Sequence, residues 1–287
     1  MMAIYRTIWE TIHHSKEDPP AGFMLNNLQT RTSINLDTNP PFAPIPPESI
    51  IDVEALIPLL EEKQIPVLKE NSVLKEEDVI IHCTRFLHRF SMPYDECREI
   101  GQFLAKSFPF AKNLQKLANF IIGSMSLYPK WKAIQLRIEG DLLLFEETRQ
   151  IGLETVTKNY LDELVVASLV NEPDLNAVYF ATGVQEERYN EIVQQLNEQF
   201  PHVTFLRKTD ILKDFFPFQQ EFESLCLEQQ ALIDWLVCIG ASSFVGAYGS
   251  SFAYLAGYMR HYRGFPESAT QLLMAQHTTW DTWFPRV

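Results

Sequence analysis

In the second half of the chain, the hydrophobic and polar positions follow the periods of alternating strands and helices. Residues 133–138 alternate apolar and polar side chains, which is typical of a strand with one polar face. Residues 177–181 are all apolar, as in a strand buried on both faces. The spacing of the remaining apolar residues predicts helices at 155–170, 186–200, 228–239 and from 250 or 251 to 263, and strands at 203–206 and 244–248. This alternation predicts an α/β fold with a doubly wound parallel sheet.

The first half of the chain lacks this alternation. Its periodicity predicts a helix at 52–61, an edge strand at 65–68, and a helical tract at 94–128 that Pro109 divides in two. Prolines are dense between Pro19 and Pro47, and because proline blocks helix interiors and central strands, we predict an irregular arm there.

Composition and charge restrict the class of protein. The chain has 287 residues, 46% of them hydrophobic, and a formal net charge of −13, which predicts a globular protein of about two domains. Such an acidic surface repels phosphate backbones, so we expect no non-specific nucleic-acid binding. The four cysteines have no C-x-x-C spacing and the seven histidines no metal-site spacing, so we expect neither a disulfide scaffold nor a metal site.

The uncharged segment Trp235–Met259 is the one candidate for a membrane span. Glycines and serines interrupt its apolar residues, which favours buried α/β core over a transmembrane helix. The N-terminal residues have no apolar stretch of signal-peptide length. We therefore expect a soluble, cytoplasmic protein without a membrane span.

Unusual residues follow three of the predicted strands. Arg137 lies next to last on its strand, Thr182 and Gly183 follow the second, and Gly249-Ser250-Ser251 follows the last. Ligands of open α/β sheets bind at this edge, and a serine-rich helix start with a nearby arginine suits an anion. The sequence predicts a nucleotide or phosphate site here, although it has no dinucleotide, P-loop or hydrolase motif. Asp141 is the acidic residue expected to orient Arg137, whereas the neighbouring carboxylates, Glu139 among them, are interpreted as mostly solvated.

Several segments, in the same order, resemble the GDP-fucose protein O-fucosyltransferase family. Residues 132–141 (KAIQLRIEGD) resemble its H-L-R strand, and residues 234–246 with Ser250-Ser251-Phe252 resemble its donor-phosphate segment. Three shorter segments are also similar: residues 51–57 (IDVEALI), 178–183 (VYFATG) and 258–264 (YMRHYRG).

The resemblance implies a two-domain GT-B glycosyltransferase that takes GDP-fucose, inverts the anomeric carbon and needs no metal or other cofactor. Arg137 would neutralise the β-phosphate of the leaving GDP. Ser250, Ser251 and Phe252 would hold the pyrophosphate and pack beside the nucleotide. Gly183, Asp234 and Arg260 would complete the donor site. The acceptor, whether a peptide, a glycan or a small molecule, stays open.

The chain departs from the family pattern in two places. Gln135 stands where the family has the histidine of H-L-R, and the acceptor-side loop has its nearest equivalent at residues 22–27, where Asn26 or Asn27 would be catalytic. The expected domains are a reduced acceptor-side domain at 1–125, with its proline-rich arm at 19–47, and a Rossmann-like nucleotide-sugar domain at 126–287. A nucleotide-sugar-binding protein that does not catalyse transfer is the alternative function, and a soluble α/β protein that acts through partners is the third.

Overall fold

The computed structural model describes residues 47–62, 102, 105–140, 150–247 and 250–273. The chain divides into two compact units, one formed by Pro47–Leu56 and Gly101–Thr278 and the other by Met1–Pro46, Ile57–Ile100 and Thr279–Val287. Only residues 57–62 of the second unit are described, so the architecture below is that of the first. The predicted arm at 19–47, the edge strand at 65–68 and Asn26 and Asn27 lie outside the described residues, apart from Pro47.

Five strands form the sheet, and helices connect them. The strands are β1 (Trp131–Gln135), β2 (Ala177–Ala181), β3 (Thr204–Leu206), β4 (Phe244–Ala247) and β5 (Thr270–Leu273). The α-helices are α1 (Val53–Glu62), α2 (Lys112–Met125), α3 (Leu153–Asn159), α4 (Ala167–Val170), α5 (Glu186–Gln199), α6 (Lys208–Leu212), α7 (Phe216–Glu223), α8 (Leu227–Gly240) and α9 (Ser251–Tyr262). A π-helix at Tyr160–Val166 joins α3 to α4, and short 3₁₀ helices lie at Pro47–Ser49 and Glu267–Ala269.

The strand order is β3-β2-β1-β4-β5, and every neighbouring pair is parallel. Trp131 lies opposite Ala177 and Gln135 opposite Ala181, while Ile134 lies opposite Val245. The order reverses between β1 and β4, where the carboxyl ends of a doubly wound sheet form a ligand crevice. The predicted α/β class and doubly wound parallel sheet are confirmed.

Alternate side chains of the strands pack into two cores, one on each face of the sheet. Ala133 and Tyr179 face α2, α8 and α9, whereas Ile134 and Phe180 face the π-helix, α4 and α5. Both faces are covered by helices, which explains why residues 177–181 are apolar without interruption.

Gly246 brings α9 unusually close to β4. A Cβ at this position would lie 2.5 Å from Ala253 Cβ and 2.9 Å from the Phe244 ring, distances that packed atoms do not tolerate. The absence of a side chain therefore lets the first turn of α9 rest on the strand. This contact positions Ser250, the N-cap of α9, beside the end of β4.

Other sequence predictions fit the structure with small shifts. The strand predicted at 133–138 runs over Trp131–Gln135, and Pro109 separates α2 from the preceding residues. The predicted helix at 155–170 is continuous but contains the π-helical turn. The segment Trp235–Met259 forms the end of α8, then β4, then most of α9. Within the described part of the chain, no helix is long and apolar enough to cross a membrane.

Helix α2 belongs to the same compact unit as the sheet. Its buried residues Leu114, Leu117 and Ile121 join the core that also contains Val237 of α8. This helix lies within the predicted acceptor-side domain at 1–125. The compact unit that contains the sheet therefore begins before residue 126. The functional division at 125/126 stays a prediction.

Candidate functional site

Gln135 and Ser250 face each other across the point where the strand order reverses. Gln135 is the last residue of β1, and its side-chain Nε2 donates a hydrogen bond to Ser250 Oγ at 3.0 Å. Ser250 Oγ also accepts from the backbone N–H of Ala253 at 3.4 Å, as an N-cap does. A serine hydroxyl accepts two hydrogen bonds and donates one. Its own proton is therefore available to an anion in the crevice.

The side-chain oxygen of Gln135 is an unusual buried polar atom. The residue is 5% exposed, and its Oε1 has no hydrogen-bond partner among the described residues. A buried acceptor without a partner is costly unless a ligand or water satisfies it. Gln135 thus carries a buried, unpartnered acceptor at the end of β1, at the position where the family pattern has histidine.

The first turn of α9 lies at this crevice. Ser251 opens the helix, and Phe252 is half-buried against the core with its carbonyl accepting from Trp235 Nε1 at 3.2 Å. The first N–H groups of a helix lack intrahelical partners and lie at the positive end of its dipole. The structure therefore brings Ser250, Ser251 and Phe252 together at a helix start suited to a phosphate group.

Arg137 follows β1 by two residues, and its guanidinium pairs with a carboxylate that sequence analysis interpreted as solvated. Arg137 Nη1 lies 2.8 Å from Glu139 Oε2, with side-chain exposures of 32% and 22%. Asp141, the partner expected from the sequence, lies outside the described residues. Among the described residues, Glu139 is thus a partner of Arg137.

Glu139 also contacts the loop that follows β2. Its Oε1 accepts from the backbone N–H of Gly183 at 2.7 Å and from Thr182 Oγ1 at 3.3 Å. The carboxylate therefore bridges the ends of β1 and β2, two strands that are neighbours in the sheet. Gly183 and Arg137, both predicted site residues, are brought together through it.

Tyr160, the first residue of the π-helix, lies within electrostatic reach of this pair. Burial raises the pKa of its phenol, and the charges of Arg137 and Glu139 act on that pKa in opposite directions. π-Helical turns are rare and often occur beside functional sites. The sequence carried no signal for this turn, because its apolar spacing is also that of an ordinary helix.

Asp234 was predicted in the donor region, and the structure places it in the interior instead. It lies on α8 and is 4% exposed, accepting from Tyr179 Oη and Lys208 Nζ at 2.6 Å each. Lys208 Nζ also donates to the Thr182 carbonyl at 2.6 Å. Burial raises the pKa of Asp234, although Lys208 and Tyr179 oppose that rise. Asp234 therefore supports the β2 loop through Lys208, and its role in the donor site stays a prediction.

Arg260 was also predicted to bind the donor, and its surroundings argue against that role. It is fully buried, and burial lowers its pKa to about 10. Its guanidinium lies 4.2 Å from the centre of the Phe265 ring. All three of its nitrogens donate within the fold, to Thr270 Oγ1 and to the carbonyls of Cys238, Ala241, Ser242 and Ala269. These contacts tie the end of α8 to the start of β5.

No metal centre emerges from the described ranges, which contain no group of three or more His, Cys, Asp or Glu residues placed to hold an ion. The described residues that bring polar groups to the crevice are Arg137, Ser250, Gln135 and Glu139, together with backbone N–H groups. This set suits a phosphate or diphosphate.

Comparisons with known proteins give one family match. A family model described as GDP-fucose protein O-fucosyltransferase matches residues 25–263. None of the curated proteins matches the chain.

Seventeen solved chains match, among them two crystal structures of POFUT1 in complex with GDP. One is 13% identical with a TM-score of 0.40, and the match covers 62% of this chain and 52% of that one. The other is 15% identical with a TM-score of 0.37, covering 60% and 49%. This chain thus spans about half the length of either structure. Similarity at these identities and TM-scores does not identify any residue of the site.

Proposed function

Because the chain belongs to the GDP-fucose protein O-fucosyltransferase family, we propose that it binds GDP-fucose at the crevice between β1 and β4. We propose further that it is a glycosyltransferase of the GT-B type, which transfers fucose to a hydroxyl acceptor with inversion at the anomeric carbon. The bound molecule is a substrate, and the reaction as proposed uses no metal or other cofactor.

The hydrogen bond between Gln135 and Ser250 is the observation that carries this proposal. It joins the end of β1 to the N-cap of α9, at the point where doubly wound sheets bind nucleotides. The Ser250 hydroxyl proton and the first N–H groups of α9 would receive the diphosphate. The unpartnered Gln135 Oε1 would accept from a hydroxyl or N–H group of the nucleotide sugar.

Arg137 would act on the leaving group. Negative charge accumulates on the departing diphosphate in the transition state, so a guanidinium held nearby stabilises that state more than the bound donor. Its position two residues beyond β1 places it at the same edge of the sheet as Ser250. Glu139 contacts the arginine just beyond the end of the strand.

Transfer also requires a group that positions or deprotonates the acceptor hydroxyl, on the face opposite the leaving GDP. Asn26 is the residue we propose for this role, and it lies outside the described residues. Peptides, glycans and small molecules all fit this part of the proposal. The cytoplasmic location stays a prediction.

A nucleotide-sugar-binding protein without transfer activity is the second candidate. The contact between Arg137 and Glu139 favours it, because a paired carboxylate reduces the positive charge that the guanidinium offers to a leaving diphosphate. Both candidates share the donor site and differ only in turnover.

Thermal unfolding with a panel of nucleotides tests the proposal. We expect GDP and GDP-fucose to raise the melting temperature and UDP to leave it unchanged, since a ligand at 100 times its Kd stabilises by about 2.7 kcal/mol. Equal stabilisation by UDP would contradict the GDP-fucose assignment. Release of GDP from GDP-fucose in the presence of acceptors then separates the enzyme from the binding protein.

Ser250→Ala makes the binding test specific to the crevice. We expect it to weaken GDP binding, because it removes the hydroxyl that receives the diphosphate. Ser126→Ala is the matched control, since Ser126 is an exposed residue at the end of α2. GDP affinity that is equal in the two variants would place the nucleotide elsewhere.

A further inference from the structure

Three hydrogen-bond donors at the crevice contact the carboxylate of Glu139, an anion that belongs to the chain itself. The Glu139 carboxylate receives Arg137 Nη1, the Gly183 N–H and Thr182 Oγ1 at 2.8, 2.7 and 3.3 Å. A guanidinium, a backbone N–H and a hydroxyl are also the donors that proteins present to phosphate. The carboxylate thus occupies a position with the chemistry of a phosphate subsite.

Two of these donors, the Thr182 hydroxyl and the Gly183 N–H, belong to a loop that is held from beneath, so they would keep their arrangement if the carboxylate moved away. The Thr182 carbonyl accepts from Lys208 Nζ, and Lys208 is fixed by its ion pair with Asp234. Lys208 and Asp234 are both nine-tenths buried. The loop of Thr182 and Gly183 therefore has a rigid support that is independent of Glu139.

Glu139 itself has freedom to move. Its side chain is 22% exposed and reaches solvent, and residues 136–139 have no regular secondary structure. A side chain on such a segment can change rotamer at little cost. The Thr182 and Gly183 donors are thus fixed, whereas the anion that they contact is not.

We propose that Glu139 is an internal substitute for a phosphate group, and that the diphosphate of the nucleotide sugar binds by displacing its carboxylate from Arg137, Gly183 and Thr182. This inference rests on the proposed function for the identity of the diphosphate. Glu139 lowers the affinity for GDP, because each binding event must break its contacts. It returns to the donors when GDP leaves, so it favours release of the product.

Calorimetric titration of the full chain with GDP, and separately with inorganic pyrophosphate, tests the proposal. Glu139→Gln removes the competing charge and keeps the size of the side chain. We expect it to bind both ligands about two- to fivefold more tightly than the natural chain, the effect of losing one partly exposed ion-pair partner.

Glu191→Gln is the matched control. Glu191 also pairs with an arginine, Arg188, at 2.9 Å, so the variant changes the net charge by the same amount on the exposed side of α5. We expect its affinities to equal those of the natural chain. In an Arg137→Gln background, Glu139→Gln should change ligand affinity much less, because the guanidinium for which Glu139 and the ligand compete is absent.

The outcomes separate this inference from the proposed function. GDP binding that is unchanged or weaker in Glu139→Gln overturns the inference and leaves GDP binding intact. Tighter pyrophosphate binding with no GDP binding supports the inference and overturns the nucleotide assignment. Absence of binding for both ligands in both proteins overturns the two together. If Glu139→Gln fails to fold, Glu139→Asp, which withdraws the carboxylate by one methylene, should still tighten binding about twofold, and unchanged binding overturns the inference.

Discussion

Lys208 and Asp234 form an ion pair in the interior of the protein, with 2.6 Å between Nζ and Oδ2 and side-chain exposures of 7% and 6%. The lysine starts α6 and the aspartate lies on α8, so the pair joins two helices beneath the end of β2. Asp234 also accepts a hydrogen bond from Tyr179 Oη, and Lys208 Nζ also donates one to the Thr182 carbonyl. Additional hydrogen bonds of this kind are what make a buried charge pair tolerable.

Lys208→Met leaves the Asp234 carboxylate buried without its counter-ion. We expect a loss of about 3–5 kcal/mol in the free energy of unfolding, measured by urea denaturation. The double variant Lys208→Met with Asp234→Leu should recover most of that loss, since it removes both charges. Lys213→Met, at an exposed lysine of the same region, is the control. A loss below about 1 kcal/mol for Lys208→Met would show that solvent reaches the pair.

Arg137→Lys keeps the charge and removes the planar fork of the guanidinium. If transfer occurs, we expect the turnover number to fall about 10²- to 10³-fold, as for loss of one transition-state contact, with little change in the melting temperature. Arg188→Lys is the control, since Arg188 is equally exposed and also paired with carboxylates. Unfolding of Arg137→Lys would instead assign Arg137 a structural role.

Arg260→Lys should unfold the protein more readily without altering the donor site. The lysine cannot replace the five hydrogen bonds that Arg260 donates inside the fold, so buried carbonyls lose their partners. We expect a loss of about 3 kcal/mol or more in the free energy of unfolding. GDP affinity of the folded fraction should stay the same, and a selective loss of that affinity would restore Arg260 to the donor site.

The contacts of Asp52 predict that the free energy of unfolding depends on pH in the acidic range. Its carboxylate contacts Lys112 Nζ at 3.0 Å and the Ala55 N–H at 3.1 Å, and these contacts lower its pKa below the usual 3.8. The contribution of Asp52 is therefore present above pH 3.8 and is lost as the pH falls through the lowered pKa. Denaturation of the natural chain and of Asp52→Asn should give stabilities that converge in that window. A difference in the free energy of unfolding that stays constant across this pH range would contradict the lowered pKa of Asp52.

Much of the sheet could be predicted because its signal is local. The apolar run at 177–181 reflects burial of both faces of β2. The alternation at 133–138 correctly predicted a strand, but β1 is buried on both faces, Gln135 included, so its polar face was not predicted correctly. β5 was missed because its four residues, Thr270–Leu273, carry no such pattern. Edge pairing with β4 makes it a strand, and that contact has no signature within the segment.

The site was harder to predict because its contacts join distant segments. Arg137, Gly183 and Ser250 follow strand ends, so topology alone brings them to one edge. Glu139 receives the Gly183 N–H from 44 residues away, a contact that no spacing reveals. Arg260 was predicted in the donor site because residues 258–264 resemble the basic end of a helix in the family. Its partners are mostly backbone carbonyls, which leave no trace in the sequence.

The strand order has a consequence for how the crevice forms during synthesis. β1 and β2 can pair once both have left the ribosome, whereas Ser250, the partner of Gln135, is synthesised 115 residues after it. Until β4 is made, the inner edge of β1 has no partner, and an open edge of apolar residues invites association with other chains. The pairing of β4 with β1 and the creation of the ligand crevice therefore belong to the same late event, and of the described strands only β5 is added after it. Chains stopped before β4 would have neither, and we expect them to depend on chaperones.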